Sequence, residues 1–251
     1  MEKTVKQGST HTFPLPPKKN NNMQGFKKWI KYIWMSLAAV VLGVAFLFFA
    51  VSQGFLGDMP DVQELENPDI YVASQIISSD GVELGKFEKE KTIPITYKDL
   101  PPHLVYALMA KEDERFREHS GIDLQAFLRA VAFRGKRGGG STVSQQLAKL
   151  LFTKEPATNP VMRAIQKLKE WSVAVSLEKR YTKEEIITLY FNKMEFNYNA
   201  KGIELASRIY FNKNTKDLTL SEAATFVAML EAPIRNNPIR NPERAKQRRN
   251  V

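Results

Sequence analysis

The chain has 251 residues, 43% of them hydrophobic, which is enough to bury one sizeable core and a smaller appendage. It contains no cysteine, so disulfides, thiolate metal sites and cysteine nucleophiles are excluded. The formal net charge of +10 is concentrated in two regions. Residues 1–31 carry seven Lys and one Glu, whereas residues 134–183 carry eleven Lys and Arg against three Glu. The two regions need different explanations.

The N-terminal part of the chain predicts a membrane anchor. Residues 1–28 form a Lys-rich, Pro-containing tail that we expect to be disordered, and residues 29–57 form a predicted transmembrane helix. No charged residue occurs from Tyr32 to Gly57, a run long enough to span a bilayer. A cleaved signal peptide is disfavoured, because the apolar run is long and no clear small-residue cleavage site follows it. The positive-inside rule predicts a single-pass anchor with the tail in the cytoplasm and the rest of the chain outside.

Residues 58–83 are predicted to form a linker that ends in a β-hairpin. The linker is acidic and contains proline, and an Asp-Gly pair at 80–81 then separates two short β-prone runs. The pattern that follows is helical, with capping boxes that begin predicted helices at Thr182 and Thr219. These patterns predict a mainly α domain over residues 84–251, preceded by a short β element.

The strongest candidate for catalysis is Glu112. Apolar residues recur at helical spacing before it, and Glu112 lies on their stripe, one turn after Leu108 and one turn before Phe116. A carboxylate there is either a charge at the border of a buried face or an acid/base group tuned by burial. Glu114 and Glu118 lie off the stripe and are expected to be ordinary solvated charges.

A glycine run, Gly138–Gly140, leads into a helix that we expect to begin at Ser141 or Thr142. Free backbone amides at such a helix N-terminus favour anions, phosphates especially. Basic residues precede the run, and Lys149 follows two turns into the helix. The alternative is a flexible turn followed by an N-cap. The run is not a P-loop, because no Gly-Lys-Ser/Thr ends it.

Two further helices carry polar groups beside apolar faces. Glu170 lies beside Lys167 just before the uncharged segment 171–177, so it either pairs with that lysine structurally or faces a ligand. Tyr190 and Asn192 lie at the end of an amphipathic helix, whose alternative role is packing alone. The chain has no His or Cys spacing typical of a zinc site.

Taken together and in this order, these segments resemble the peptidoglycan glycosyltransferase family, glycosyltransferase family 51. That family includes monofunctional enzymes and the N-terminal half of class A penicillin-binding proteins. Each motif alone is weak, and their order along one chain carries the resemblance. The matching residues are Glu112, Asp113, Phe116, His119 and Gly121; Gly139, Gly140, Ser141, Thr142, Gln145, Gln146 and Lys149; Lys167 and Glu170; Lys183, Ile186, Tyr190 and Asn192; and a fifth block from Leu218 to Pro238.

The resemblance implies a lysozyme-like α fold with a small jaw subdomain. It implies polymerisation of lipid II into β-1,4-linked glycan strands, with release of undecaprenyl pyrophosphate. Glu112 would be the general base of an inverting transfer, and Glu170 a second catalytic residue that orients the cationic network or holds a divalent cation, Mg²⁺. No organic cofactor is expected. The residues implied to bind substrate are Asp113, Phe116, His119, Gly140, Ser141, Thr142, Gln145, Gln146, Lys149, Lys167, Tyr190 and Asn192.

The resemblance also implies partners and a location. The partners are lipid II, the growing glycan strand, the lipid bilayer and other cell-wall synthesis proteins, but not nucleic acid. The location is the bacterial cytoplasmic membrane, with the catalytic domain on its outer, periplasmic face, and moenomycin is the implied inhibitor. Residues 124–133 supply apolar surface that could dip into lipid. Because the chain stops soon after the fifth block, we expect a transpeptidase domain to follow in a longer protein.

Five positions depart from the family pattern. Glycine is usual at two of them and arginine, glutamate and tyrosine at the others. The departure from arginine puts one pyrophosphate contact in doubt, but both candidate catalytic carboxylates are retained, so activity is expected. The departing residues are Gln166 for arginine, Thr188 for glutamate, Lys201 for tyrosine, and Asn197 and Asn212 for glycine.

Two other functions compete with this one. A membrane-bound muramidase or lytic transglycosylase would share the lysozyme-like shape and the carboxylates. It cuts a neutral glycosidic bond, however, so the basic residues of 134–183 argue against it. A non-catalytic module that binds anionic glycan or lipid head groups is the second alternative. His119, one turn beyond Phe116, is expected to be a packed, hydrogen-bonded side chain and not a base.

Overall fold

The computed structural model describes most of the chain. The described residues are 21–55, 74–79, 83–87, 92–134, 138–153 and 155–250. The predicted tail up to residue 20, most of the predicted linker and the Asp-Gly pair at 80–81 lie outside them. The chain divides after Leu47 into two compact units, of which the first holds most of the N-terminal helix and the second holds the remaining elements.

The N-terminal helix α1 comprises Asn21–Ser52. Its segment Gly25–Val51 is long and apolar enough to cross a membrane. The helix begins at Asn21 and not at residue 29, so the last residues of the predicted disordered tail are helical. The polar turn before the apolar run contains no proline, and it therefore continues the same helix.

The predicted β-hairpin is present. Strand β1 (Ser74–Ile77) pairs antiparallel with β2 (Glu83–Phe87), and Ser74 lies opposite Phe87. The register shifts between Ile76 and Ile77. These two strands form a two-stranded sheet at the start of the second unit.

The described part of the second unit is otherwise helical. Its helices are α2 (Pro102–Glu112), α3 (Leu124–Ala132), α4 (Val143–Phe152), α5 (Pro160–Arg180), α6 (Lys183–Lys193), α7 (Ile203–Phe211), α8 (Leu220–Leu230) and α9 (Pro242–Arg249), with short 3₁₀ turns at Tyr97–Asp99 and Thr215–Asp217. The mainly α fold class is thus confirmed. Helix α4 packs against α5 and α6, while α8 packs against α2 and α9.

Side-chain caps begin most of these helices. Thr182 and Thr219 form the two predicted capping boxes, each accepting from the backbone N–H of a glutamate three residues on. Asp123, Thr142 and Asn159 cap α3, α4 and α5 in the same way with side-chain oxygens. The starts of the helices that carry the candidate site are therefore set by local sequence.

Large aromatic and aliphatic side chains fill the core between these helices. Phe226 of α8 stands at the centre of an aromatic cluster, with ring centroids 5.2 Å from those of Phe196 and Phe211 and 5.9 Å from that of Tyr210. Edge-to-face contacts of this kind are favourable beyond the area they bury. The largest fully buried side chains are Tyr190, Phe116, Phe191, Phe196, Phe226, Leu104, Leu108 and Leu147.

Two departures from glycine occupy left-handed backbone. Asn212 caps the C-terminus of α7 at a φ of 53°. Asn197, at 66°, begins three successive left-handed residues with Tyr198 at 53° and Asn199 at 56°. Asparagine tolerates this region better than other residues with a side chain, because its short amide can hydrogen-bond locally. Both substitutions therefore suit the conformation.

Glu204 is a buried carboxylate that ties α7 to the following turn. It accepts hydrogen bonds from the Thr215 backbone N–H at 2.8 Å and from the Arg208 guanidinium at 2.9 Å. Burial raises the pKa of Glu204, but the hydrogen bonds from Thr215 and then from Arg208 outweigh it, so the net pKa is lowered.

Candidate active site

Glu112 is the last residue of α2. The next residue, Asp113, has a φ of −160° and ends the helix. The predicted stripe is correct for Leu108, which is fully buried, but the helix does not continue to Phe116 as the spacing suggested. Phe116 lies in the turn beyond, again fully buried. Glu112 itself is half-buried and lines a cleft next to the C-terminal end of α2.

A chain of hydrogen bonds holds the Glu112 carboxylate. The Gln146 side chain donates from Nε2 to Glu112 Oε2 at 2.8 Å, and the Tyr190 hydroxyl donates to Gln146 Oε1 at 2.9 Å. Burial, and secondarily the negative charge of Glu112, raises the pKa of the Tyr190 phenol, so that it stays a donor. The Tyr190–Gln146–Glu112 chain leaves Glu112 Oε1 without a hydrogen-bond partner among the described residues.

Asp113 and His119 form a buried pair behind this chain. Both carboxylate oxygens of Asp113 lie 3.0 Å from His119 Nε2, and Oδ2 also accepts from the Val143 backbone N–H at 2.9 Å. His119 Nδ1 accepts from the Gly121 N–H at 3.2 Å, which assigns the histidine proton to Nε2. His119 is thus the packed, hydrogen-bonded histidine that its sequence position suggested.

The cap from Asp113 changes one expectation about α4. The first-turn amide of Val143 points at the Asp113 carboxylate, which complements the positive end of the helix dipole from inside the protein. The Val143 amide is therefore not free to bind a phosphate, because an internal anion occupies it, whereas anion binding by the amides of Gly140 to Thr142 stays a prediction.

Several residues expected to bind substrate instead make contacts within the protein that hold the segments of the site together. Thr142 donates to the Gly121 carbonyl at 2.7 Å, and Gln145 Nε2 donates to the same oxygen at 3.3 Å. Gly121 has a φ of 94°, and a Cβ there would lie 2.9 Å from the backbone carbonyl of Ala174. Phe116 is a core residue with no exposed surface, so its implied contact with substrate is wrong in this structure.

Lys183 joins three segments in this framework. Its Nζ donates to the His119 carbonyl at 2.6 Å, pairs with Glu178 Oε2 at 2.7 Å, and lies 4.3 Å from the centre of the Phe116 ring. Glu178 also accepts from the Ser144 hydroxyl at 2.5 Å. This Lys183 cluster fixes the turn after Glu112 to α4, α5 and α6.

The cleft itself has a volume of about 990 Å³ and is called the main cleft below. It lies along α4 and α5, and the ends of α6 and α8 complete its wall. The predicted site residues that line it are Glu112, Ser141, Gln145, Gln146, Lys149, Lys167, Glu170 and Tyr190. A second, polar cavity of about 240 Å³ shares Glu112 and Ser141 with it, and also includes Asp113 and Thr142.

Lys167 and Glu170 form the structural pair that was one of the two alternatives, and contact of Glu170 with a ligand stays a prediction. Lys167 Nζ lies 3.1 Å from Glu170 Oε2 and 3.1 Å from Ser141 Oγ, so the lysine and glutamate are paired. Both also line the main cleft. Glu170 is only 8% exposed and accepts a further hydrogen bond from Thr153 at 3.2 Å. The pair therefore presents a fixed ammonium to the cleft.

The arrangement around Glu170 does not by itself suit a metal ion. Among the described residues there is no group of three or more His, Asp or Glu side chains that could hold one. The Glu170 oxygens are already engaged by an ammonium and a hydroxyl. The described residues thus offer no set of three side chains that would hold the expected Mg²⁺, and its binding stays a prediction.

Two other residues have backbone partners. The Asn192 side chain accepts from the Ile95 N–H at 3.1 Å and donates to the Ile95 carbonyl at 3.0 Å. It therefore joins the segment before α2 to α6 and does not line the main cleft, which is described above. Gln166 accepts from the Ala157 N–H and donates to the Glu155 carbonyl, each at 3.0 Å. Its amide thus fixes the loop before α5.

Sequence reasoning missed two charged residues of the main cleft, Arg163 and Glu231. Arg163 of α5 lines it together with Lys149 and Lys167. Its position four residues before Lys167 places both on one helix face, and that spacing could have identified it. Of the other basic residues expected nearby, Lys136 and Arg137 lie outside the described residues.

Comparisons with known proteins identify the family. The family model described as Transglycosylase matches residues 80–251. Penicillin-binding protein 1A of Pseudomonas aeruginosa is 34% identical over 88% of this chain and 27% of its own length, and its Escherichia coli counterpart is 34% identical over 89% and 26%. Penicillin-binding protein 1F of Bacillus subtilis is 38% identical over 72% of this chain and 25% of its own length.

The match to solved structures is weaker. A crystal structure of penicillin-binding protein 1A from Haemophilus influenzae matches 70% of this chain and 17% of its own, with 23% identity and a TM-score of 0.31. The chain spans about a quarter of the length of its curated relatives, at 27%, 26% and 25%. The family model covers well over half of the chain, and the chain therefore belongs to the transglycosylase family.

Proposed function

We propose that this chain is a peptidoglycan glycosyltransferase that polymerises lipid II into β-1,4-linked glycan strands and releases undecaprenyl pyrophosphate. The observation that carries the proposal is the pairing, in one cleft, of an oriented carboxylate with basic side chains. Glu112 is held by Gln146 at 2.8 Å, and Lys149, Arg163 and Lys167 line the same main cleft. A base and an anion-binding wall are what transfer of a sugar from a diphosphate requires.

Glu112 is the general base of the proposed transfer. Its Oε1 takes the proton from the 4-hydroxyl of the acceptor N-acetylglucosamine as that oxygen bonds to the anomeric carbon of the donor. The Tyr190–Gln146–Glu112 chain engages Oε2 and leaves Oε1 unbonded among the described residues, so Oε1 is available to the acceptor. Such a positioned base contributes roughly 10²–10⁴-fold to a rate.

The basic side chains stabilise the leaving group. As the bond between the anomeric carbon and the phosphate oxygen breaks, the diphosphate takes the electron pair, and the ammonium groups of Lys149 and Lys167 oppose the charge that develops on it. Glu170 holds Lys167 in place through their contact at 3.1 Å. Attack opposite to the leaving diphosphate inverts the anomeric carbon.

Two cavities border Glu112, which supports a reaction between two sugars. Lys149, Arg163 and Lys167 line the main cleft, whereas Lys111, Arg115 and Arg129 line the smaller polar cavity, and the two cavities share Glu112 and Ser141. An inverting transferase must hold the acceptor hydroxyl between its base and the anomeric carbon of the donor, so the base has to border the space that the sugars occupy. The muramidase alternative finds less support, because Glu170 is engaged by Lys167 and does not stand free to protonate a leaving oxygen.

We place the protein in the bacterial cytoplasmic membrane, anchored once by α1, with its catalytic unit on the outer face. The length and apolar character of Gly25–Val51 support the anchor. On α3, the side chains of Leu124, Leu128 and Val131 are 63%, 56% and 61% exposed at helical spacing. That apolar surface suits contact with a lipid bilayer and with a polyprenyl chain.

The test uses the detergent-solubilised chain and labelled lipid II. We expect long glycan strands, inhibition by moenomycin, and a loss of at least about 10²-fold in rate for Glu112→Gln. Glu118→Gln, an exposed carboxylate outside both cavities, is the matched control and should keep full activity. Soluble fragments released from purified sacculi would favour the muramidase instead. Glycan binding by folded protein that makes no polymer would favour the binding module.

A further inference from the structure

We propose that the turn after α8 binds the glycan strand outside the main cleft, through the carboxylates of the peptides that the strand carries. The turn comprises residues 232–241 and is called the α8–α9 turn below. The inference rests on the proposed function and extends it, because it assigns to the polymer a surface that lies beyond the cleft and its basic wall.

Two buried asparagines fix the conformation of the α8–α9 turn. Asn236 donates to the Ala228 carbonyl of α8 at 2.8 Å, and Asn237 donates to the Tyr210 hydroxyl of α7 at 2.7 Å. The Asn237 Oδ1 atom also accepts from two backbone N–H groups of the turn, at 2.9 Å and 3.1 Å. Because both asparagines are fully buried, these hydrogen bonds are shielded from water. The turn is therefore held in place from inside the protein.

This turn presents apolar and cationic side chains to solvent. Ile234 and Ile239 are 58% and 59% exposed, although isoleucine is among the residues most often buried. Arg235 and Arg240 each follow one of these isoleucines and are exposed as well. Neither arginine makes an ion pair or a side-chain hydrogen bond with the part of the chain that the structure describes. Two guanidinium groups, each beside an apolar side chain, are thus available to an external partner.

A strained tyrosine borders the same surface. Tyr198 has a φ of 53°, in the left-handed region that bulky side chains rarely adopt. Its ring lies 5.9 Å from that of Tyr210, whose hydroxyl accepts from Asn237 of the turn. Strain of this kind is concentrated at active sites and ligand-binding sites, and here it accompanies an aromatic ring that is 48% exposed. The strain therefore indicates a binding role for this ring.

The position of the turn identifies the strand as its partner. Pro233 of the turn, and Glu231 just before it, line the main cleft. A cleft of about 990 Å³ holds only a few sugars, so the rest of a long strand and its peptides must lie beyond the rim. A bilayer is the less suitable partner, because α3 already offers a row of exposed apolar side chains for that contact.

The side chains of the turn match the chemistry of such a strand. A peptide ends in a carboxylate, and a guanidinium fork binds the two oxygens of one carboxylate in its plane. The isoleucines offer apolar surface to the side chains of the same peptide. The exposed face of the Tyr198 ring can pack on a sugar. The surface thus suits a sugar polymer that carries short anionic peptides.

The experiment measures the binding of soluble, uncross-linked glycan strands by titration calorimetry, with the whole chain in detergent. One sample carries its native peptides, and in the other the carboxylates are converted to amides. The double variant Arg235→Ala, Arg240→Ala should raise the dissociation constant of the native sample about tenfold, as expected for two exposed charge pairs. It should leave that of the amidated sample unchanged. Tyr198→Asn, which tolerates the left-handed backbone and lacks the ring, should weaken binding of both samples about threefold.

The matched control is the double variant Lys98→Ala, Lys216→Ala. It removes the same positive charge as the arginine variant, from two exposed positions outside both cavities. It should bind both samples as the unchanged chain does, so a loss of binding in this control would show an effect of net charge alone and overturn the inference.

The outcomes separate this inference from the proposed function. Equal binding of native strands by the arginine variant and the unchanged chain overturns the inference, and so does equal binding of the two samples by the unchanged chain. If the arginine variant keeps its strand binding and loses binding to vesicles that contain anionic lipid, the turn contacts the bilayer and the inference fails. Polymerisation of lipid II tests the function separately. A chain that makes no polymer, but binds native strands through these arginines, refutes the function and keeps the binding surface.

Discussion

Replacing Lys183 with methionine tests whether the Lys183 cluster holds the turn after Glu112 in place. Methionine keeps the length of the side chain and removes the ammonium group. The variant loses the hydrogen bond to the His119 carbonyl at 2.6 Å and the ion pair with Glu178 at 2.7 Å. It leaves the Glu178 carboxylate, whose side chain is 5% exposed, with the Ser144 hydroxyl as its remaining partner in the described residues.

The expected loss is worked from the burial of the two partners. Removing one member of a fully buried ion pair costs about 3–5 kcal/mol. The Lys183 side chain is 22% exposed, and the Ser144 hydroxyl still donates a hydrogen bond to Glu178. We therefore expect the free energy of unfolding to fall by about 2–3 kcal/mol. For a folded unit of this size, that corresponds to a fall of about 5–10 °C in melting temperature.

The assay is thermal unfolding of the detergent-solubilised chain, followed by circular dichroism, for a double-mutant cycle. Glu178→Gln should cost less than Lys183→Met, because the lysine can still reach solvent. The double variant should cost about 1–2 kcal/mol less than the sum of the two single variants, as expected for residues in contact. A loss below about 1 kcal/mol for Lys183→Met, or strict additivity in the cycle, would refute a stabilising role for the cluster.

Three further predictions follow from single contacts. Tyr190→Phe removes the hydroxyl that orients Gln146 and should slow lipid II polymerisation about tenfold, the worth of one such hydrogen bond; a rate within twofold of the unchanged chain would contradict this. Because the pKa of Glu204 is lowered by folding, its stabilising contribution is complete above the ordinary value of 4.5 and is lost as the pH falls through the lowered value. The melting temperature of Glu204→Gln should therefore fall less between about pH 5 and pH 3 than that of the unchanged chain, and parallel curves would count against the prediction. Gly121→Ala places a Cβ 2.9 Å from a backbone carbonyl of α5 and should lower the melting temperature by several degrees, whereas Gly139→Ala, with no atom within 4 Å, should leave it within about 2 °C.

The sequence was sufficient to locate the carboxylates and the helix caps. Helical spacing indicated Glu112, and the capping boxes at Thr182 and Thr219 are formed as their spacing required. These features depend on residues within one or two turns of each other. Local patterns of that kind can be derived from one chain without knowledge of how its helices pack.

The direction in which side chains face could not be derived in the same way. Asp113 lies beside Glu112 in the chain, yet it caps a helix that begins 30 residues later. Gln166 and Asn192 carry polar amides typical of binding sites, but both are used by backbone groups of other segments. Whether a polar residue faces a cleft or a distant backbone is decided by tertiary contacts, which no local pattern encodes.

The internal cap of α4 has a consequence for how tightly the main cleft can hold an anion. Because Asp113 occupies the Val143 amide, this amide is not free for an anion, and the positive charge of the main cleft comes from the exposed side chains of Lys149 and Arg163 and from the Lys167 ammonium. Exposed charges of this kind are screened by dissolved ions over about 8 Å at physiological ionic strength. Binding of an anion in the main cleft will therefore weaken as ionic strength rises. Flexible cations can also follow a phosphate that moves, whereas amides fixed at a helix end cannot.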